Sequence, residues 1–164
     1  MLVVSNTSPV SNLAIIGRLD LLRYRYGRVF IPPAVKTELD ALTHPAGKAA
    51  IDLAFRDAWL RVEPLPAADT IWPMPNHLDP GELEAIRLCL HLPADKLLLD
   101  DALGRAAARQ LGLNFSGLLG ELLFAKHSAK LPSVKVEIAR LRSDARFFVS
   151  AEVEAIILTD AGEK

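Results

Sequence analysis

Residues 96–112 read KLLLDDALGRAAARQLG. The run at 97–99 is apolar at every position and halts at Asp100-Asp101, and an alanine-rich helical segment follows that closes at Gly112. A strand with no polar alternation has to be covered on both faces. That is the pattern of a strand inside a parallel sheet with helices above and below it. The rest of the chain repeats the alternation. LVVS (2–5) is a short strand candidate, and SPVSNLAIIG (8–17) reads as a helix with Ser8 as N-cap, Pro9 at its first position and Gly17 as its stop. A second helix is expected over 19–24, a strand at RVFI (28–31), a helix at PPAVKTEL (32–39), a helix over 46–58 and a strand at LRVEPL (60–65). DPGELEAIRLCLHL (79–92) opens another helix, NFSG (114–117) is a candidate last short strand, and two or three helices finish the chain.

Strands alternating with helices imply an α/β fold: a three-layer α/β/α sandwich around a central parallel sheet of four to five short strands. Residues 1–142 are expected to form the domain, with 143–164 as a helical extension packed on it. Five of the eleven prolines fall between Pro64 and Pro80, which predicts an ordered surface loop there.

Composition narrows the function. The net charge of −1 offers no global basic excess, so a nucleic-acid partner would have to be held by a local patch. The single cysteine, Cys89, excludes an internal disulfide and sits in an apolar context. Neither a signal segment nor an apolar run of membrane-spanning length is apparent, so a soluble, cytoplasmic protein with no membrane partner is expected. His44, His77, His91 and His127 have no metal-ligand spacing, and the sequence contains no nucleophile elbow, Walker loop or dinucleotide fingerprint.

In parallel sheets, ligands bind outside the carboxyl ends of the strands. Two strands here end in polar residues: the first in Ser5-Asn6-Thr7-Ser8, the other in Asp100-Asp101. If both strands are central, Asn6 and the aspartate pair share one rim. One aspartate is accounted for as the cap of the helix from Ala102, and two exceed what a cap needs. In DPGELE, Asp79, Pro80 and Glu82 form a capping box, which explains Glu82 structurally. Glu84 lies about 200° further round that helix, facing either solvent or the rim. Glu38, late in a short helix, opposes the helix dipole and is open to the same two readings. Arg105 and Arg109, four apart, form either a solvated face or a contact for RNA phosphates.

Taken together, VVSNTSPVSNLAIIGRLDLL, VFIPPAVKTEL, LDPGELEAIRLCL, LLLDDALGRAAARQLGL and FSGLLGELLFAKHSAKLPSVK, in that order, resemble the PIN-domain superfamily. They are most similar to a PIN-like subgroup catalogued as a domain of unknown function, with N-T-S-P in its first motif. The resemblance implies an α/β/α sandwich, Mg²⁺- or Mn²⁺-dependent ribonuclease activity and an acidic site. It also implies RNA as substrate, an antitoxin as partner of a toxin, and a homodimer. Carried over, the acidic positions fall on Asn6, Glu38, Glu84 and Asp100 or Asp101. Glu38, Glu84, Asp100 and Asp101 would be catalytic, Asn6, Glu84, Asp100 and Asp101 would hold the metal, and Thr7 and Ser8 would assist. Asn6 departs from the expected aspartate: its carbonyl oxygen can ligate a hard cation but brings no full charge. A binding module without catalysis is therefore the alternative.

Overall fold

The computed structural model describes residues 1–67 and 77–164. Of the expected loop over 64–80, residues 68–76 lie outside the described residues. In chain order the described elements are β1 (Val3–Ser5), α1 (Thr7–Ile15), α2 (Asp20–Tyr26), β2 (Val29–Ile31), α3 (Pro33–Asp40), α4 (Pro45–Arg56) and β3 (Leu60–Val62). They continue with α5 (Pro80–His91), β4 (Lys96–Leu98), α6 (Ala102–Gln110), β5 (Phe115–Ser116), α7 (Leu118–His127), α8 (Val134–Asp144) and α9 (Ala151–Asp160).

The five strands make one parallel sheet in the order β3-β2-β1-β4-β5. The order reverses direction between β1 and β4, so this pair is the topological switch point, where the crossovers on either side leave a crevice at the strands' carboxyl ends. Val4 lies opposite Leu97 and Ser5 opposite Leu98. The period of two then separates the apolar residues onto two faces. Val3 and Leu98 join the core under α1, α2, α3, α4, α7 and α8, whereas Val4, Leu97 and Leu99 join the smaller core under α5 and α6. All five are fully buried, which stabilises the fold by roughly 1.5–3 kcal/mol for each side chain. Cys89 is one more buried apolar group of the smaller core.

One helix start differs from expectation. Asn6, not Ser8, is the N-cap of α1, and no side-chain bond caps that end. Pro9 consequently sits in the first turn rather than at its first position, which is tolerated because N–H groups there lack intrahelical partners anyway. The Ser8 hydroxyl is thereby released for a long-range bond to Asp100. The α5 capping box forms as expected between Asp79 and Glu82.

Buried carboxylates in the scaffold are matched by guanidinium groups. Glu121 of α7 accepts from Arg25 (2.9 Å) and from the Tyr26 hydroxyl. Burial, and then the charge of Glu121, raise the Tyr26 pKa, so the phenol stays protonated. Glu137 of α8 pairs with Arg18 at 2.8 Å and Arg140 at 3.2 Å. Such pairs are strongly destabilising to break, since the partner left behind is a buried charge. Among the described residues no helix is long and apolar enough to cross a membrane.

α9 packs on α7 and α8 with Leu158 buried, and Glu163 just beyond it caps α8. Glu163 accepts from the Val134 and Lys135 N–H groups and from the Ser133 hydroxyl, beside Lys126 at 3.2 Å. Partial burial works to raise its pKa, but these donors outweigh it and hold the carboxyl down at about 2. Its folded value lies below the unfolded 4.5, so its stabilisation is complete above the unfolded value and disappears as pH falls toward 2. Glu163→Gln should therefore lower stability by about 1 kcal/mol at pH 7. In denaturant titrations that difference should close as the solution is acidified. A difference independent of pH would contradict the assignment.

Candidate functional site

At the switch point the Asn6 N–H donates to the Leu98 carbonyl at 2.9 Å, extending the β1–β4 pairing by one residue and fixing Asn6 beside Asp100. A cavity of about 610 Å³ opens there. The first turn of α1, Glu38 of α3, the first turn of α5, Asp100-Asp101 and the Phe147-Phe148 loop line it.

Asp100 and Glu38 at this rim are each held by another element. Asp100 follows β4; its Oδ2 accepts from the Ser8 hydroxyl at 2.9 Å and its Oδ1 from the Leu118 N–H at 2.7 Å. Ser8 in turn accepts from the Asn12 side-chain amide at 2.9 Å. Burial raises the Asp100 pKa, against the pull of the Leu118 N–H, Ser8 and the Arg105 guanidinium 4.0 Å away. Asp101, exposed, takes the capping role and accepts from the Gly104 N–H at 2.9 Å. The pair divides its work: one aspartate starts α6, and the other faces the crevice. Thr7 donates its hydroxyl to Glu38 Oε2. The Glu38 carboxylate lies against Gly81, where a Cβ would sit 2.6 Å from Oε1. Only glycine in the first turn of α5 leaves that carboxylate its place.

Glu84 is not at the rim. Half a turn and more around α5, its Oε2 accepts from the Ala34 N–H at 2.7 Å. Ala34 is in the first turn of α3, so Glu84 satisfies an orphan donor and complements the helix dipole there. The α5 carboxylate in the cavity is Glu82, which is 7% exposed. Burial raises its pKa, the Asp79 N–H opposes this, the charges of Asp79 and Asp101 add to it, and the carboxyl is pushed up to about 7. A capping box gave Glu82 a structural reason to exist, and that reason masked its second role as cavity wall. Asp79, read from sequence only as a helix cap, and Ser11 and Asn12, not singled out there, also line the cavity. The Phe147-Phe148 pair was missed too; two adjacent aromatics in the otherwise polar stretch SDARFFVS were the available signal.

Arg105 borders the site from outside the acidic cavity. Its Nε donates to the Leu99 carbonyl at 2.9 Å, and its guanidinium occupies the space a Cβ at Gly117 would need. Arg109, exposed, stands over the Phe115 ring at 5.6 Å and does not line the cavity. The cavity wall carries five carboxylates (Glu38, Asp79, Glu82, Asp100 and Asp101) and, among the described residues, no lysine, arginine or histidine. No three of its His, Cys, Asp or Glu residues form a ready cage for a metal ion, again among the described residues. A further oxygen is available: Asn6 is 5% exposed, and its Oδ1 is a buried acceptor with no hydrogen-bond partner.

A family model described as a PIN domain (DUF3368) matches residues 2–163, from β1 through α9. No curated protein matches the chain. A match over nearly the whole length agrees with the parallel five-stranded sheet between helical layers, and the chain belongs to the PIN-domain family.

Proposed function

We propose that the acidic cavity binds Mg²⁺ or Mn²⁺ and that the protein hydrolyses RNA phosphodiesters there, as a PIN-type ribonuclease acting as the toxin of a toxin–antitoxin pair. The observation that carries this reading is a buried, unpartnered Asn6 Oδ1 in a cavity whose wall holds five carboxylates and, among the described residues, no cationic side chain. Elsewhere the fold matches its buried carboxylates with arginines, at Glu121 and Glu137. A cation supplied from solution would relieve both the orphaned acceptor and the mutual repulsion. The toxin role rests on the family resemblance alone.

The donor set fits a hard cation. Its atoms are all oxygens, carboxylate and amide carbonyl, and Mg²⁺ typically takes one or two carboxylates and keeps several waters. The lack of a three-carboxylate cage is compatible with that habit. Asn6 Oδ1 and Asp100 would hold the ion between the two central strand ends, and Glu38, Glu82 and Asp101 would face its water shell. Bound there, the ion would acidify a water and offset charge on the phosphodiester. Ser8 and the Leu118 N–H fix both oxygens of Asp100, and Thr7 does the same for one oxygen of Glu38. Glu82 keeps Oε2 on the Asp79 N–H, which positions its carboxyl in the cavity wall. A second reading, a PIN-like module that binds RNA or protein without cleaving it, draws support from the neutral Asn6 at the first acidic position.

Calorimetric titration with Mn²⁺ and cleavage of a labelled single-stranded RNA separate the two. Asp100→Asn, whose single Oδ1 can keep the Leu118 N–H while its Nδ2 donates to the Ser8 hydroxyl oxygen, should fold normally, bind Mn²⁺ at least tenfold more weakly (about 1.4 kcal/mol) and lose cleavage about a hundredfold. Native protein that neither binds Mn²⁺ nor cuts RNA would leave the binding module as the reading.

Gly81→Ala tests the wall itself. The added methyl displaces Glu38 while improving helix propensity by up to about 1 kcal/mol. Thermal stability should stay at or near the native value while Mn²⁺ affinity falls as it does in Glu38→Gln. Unchanged affinity in both variants would remove Glu38 from the site.

Asn6→Asp restores the charge. It should raise Mn²⁺ affinity about tenfold and, in chelator, lower stability by about 1–3 kcal/mol, because a second carboxylate is then buried beside Asp100. Equal stability with and without the charge would contradict the burial argument.

A further inference from the structure

Beside the acidic cavity lies a second one of about 640 Å³, and the two share Asp100, Ala102, Phe147 and Phe148. Its chemistry is the opposite: Phe115, Leu119, Val149, Val153 and Ile157 provide apolar wall, with Arg105 as its one cation among the described lining residues. Phe148 stands on the ridge between the two cavities and is 85% exposed.

The segment that presents it is tied at several points. The Phe147 N–H donates to the Leu141 carbonyl at 3.0 Å, and Arg142 donates to the Val149 carbonyl at 2.9 Å while pairing with Glu154. Val149 is buried, and Ser150 caps α9 through the Val153 N–H. Arg146 adopts φ +52°, a left-handed conformation unfavourable for a side-chain-bearing residue. The backbone on both sides of Phe148 is thus fastened to the domain while its ring stands in water. Of the other two rings in the cavity, Phe115 already carries Arg105 at 5.8 Å and Arg109 at 5.6 Å and Phe147 is half-buried against the larger core, which leaves Phe148 as the open π-face.

We propose that the apolar cavity is a base-binding subsite for single-stranded RNA, with Phe148 as the stacking residue. Resting on the ribonuclease reading above, the geometry sets the backbone across Asp100, the adjoining nucleobase on Phe148 and within the apolar wall, and the next phosphate toward Arg105. Continuity with the acidic cavity favours this occupant over a peptide: the two cavities share Asp100, Ala102, Phe147 and Phe148, so a chain whose phosphodiester lies at Asp100 has its neighbouring base beside Phe148 and Arg105. Base stacking on an aromatic ring is tolerant of sequence and needs an unpaired base, so single strands are the substrate class, and a duplex cannot present a base to the cavity.

The test uses the full chain and a short fluorescein-labelled single-stranded RNA, complete or with one abasic position moved along it. Binding is read by anisotropy in chelator, where no metal-dependent cleavage occurs, and cleavage is read separately with Mn²⁺. Phe148→Ala, at an exposed site, should keep the native circular dichroism and bind the complete RNA about ten- to a hundredfold more weakly, whereas Phe148→Tyr binds within about threefold of native. One abasic position should weaken the native protein by a similar factor and add nothing to Phe148→Ala. In Phe148→Trp, the added indole emission should be quenched by the complete RNA and not by the abasic one.

Equal binding of complete and abasic RNA by the native protein, native-like binding by Phe148→Ala, or no RNA binding at all would overturn the subsite. Loss of self-association or of a protein partner in Phe148→Ala, with RNA binding unchanged, would overturn it and assign the ridge to a protein contact. Base-dependent binding without Mn²⁺-dependent cleavage supports the subsite and overturns the ribonuclease reading. Cleavage with base-independent binding does the reverse.

Discussion

The bond from the Asn6 N–H to the Leu98 carbonyl is the constraint on which the site depends. It is the last rung between β1 and β4, and beyond it both strands leave the sheet at the same level. Because the strand order reverses between these two, no crossover helix covers their carboxyl ends, and the polar residues that follow them meet in an open crevice. Every other placement at the rim follows from that rung. Ser8 reaches Asp100 because α1 starts at Asn6, and Leu118 reaches Asp100 because α7 starts one strand away, beyond β5. Breaking the register by one residue would turn Val4 and Leu97 to the other core and separate Asn6 from Asp100 together.

The treatment of carboxylates divides the molecule into scaffold and site. Glu121 and Glu137 are almost fully buried, and each has a guanidinium within 3 Å. At the rim, carboxylates are satisfied instead by hydroxyls and backbone N–H groups, which orient them without cancelling their charge. The raised pKa values of Asp100 and Glu82 are the electrostatic record of this choice. Arg105 could have neutralised Asp100, but its Nε is committed to the Leu99 carbonyl and its charge lies 4.0 Å away on the apolar side of the ridge. Among the described residues the acidic cavity thus has no cation in its own lining, and Arg105 reaches Asp100 from the neighbouring apolar cavity.

The sheet was legible because its signal is long-range and redundant. Leu97, Leu98 and Leu99 have to be covered on both faces, and that one requirement fixes a parallel, helix-flanked strand whatever happens elsewhere. Element ends were less legible because several residue types compete for a cap. Asn6 and Ser8 are equally good capping residues by preference, and Asn6 takes the position because the strand register ends there and Ser8 is engaged by Asp100. Glu82 and Glu84 were not separable by local rules. Both sit on the first turns of α5, and only the packing of α3 against α5 decides which one meets the Ala34 N–H and which one meets the cavity. A residue with one complete local explanation can still carry a second role set by tertiary contacts.

Asparagine at position 6 makes physical sense in this setting. The position is 5% exposed and lies next to a carboxyl that burial already pushes toward protonation. An aspartate there would add a second poorly hydrated charge, and without a cation the two would force one another to hold protons or drive the rim apart. An amide avoids that penalty and still points a carbonyl oxygen at the same place, where it remains without a hydrogen-bond partner. The consequence is an asymmetry between the loaded and empty states. With aspartate the cation would be needed to stabilise the fold; with asparagine the fold stands without it, and affinity falls by the missing charge. On the proposed reading, Asn6 would leave the site intact when empty and hold the ion more loosely than an aspartate would.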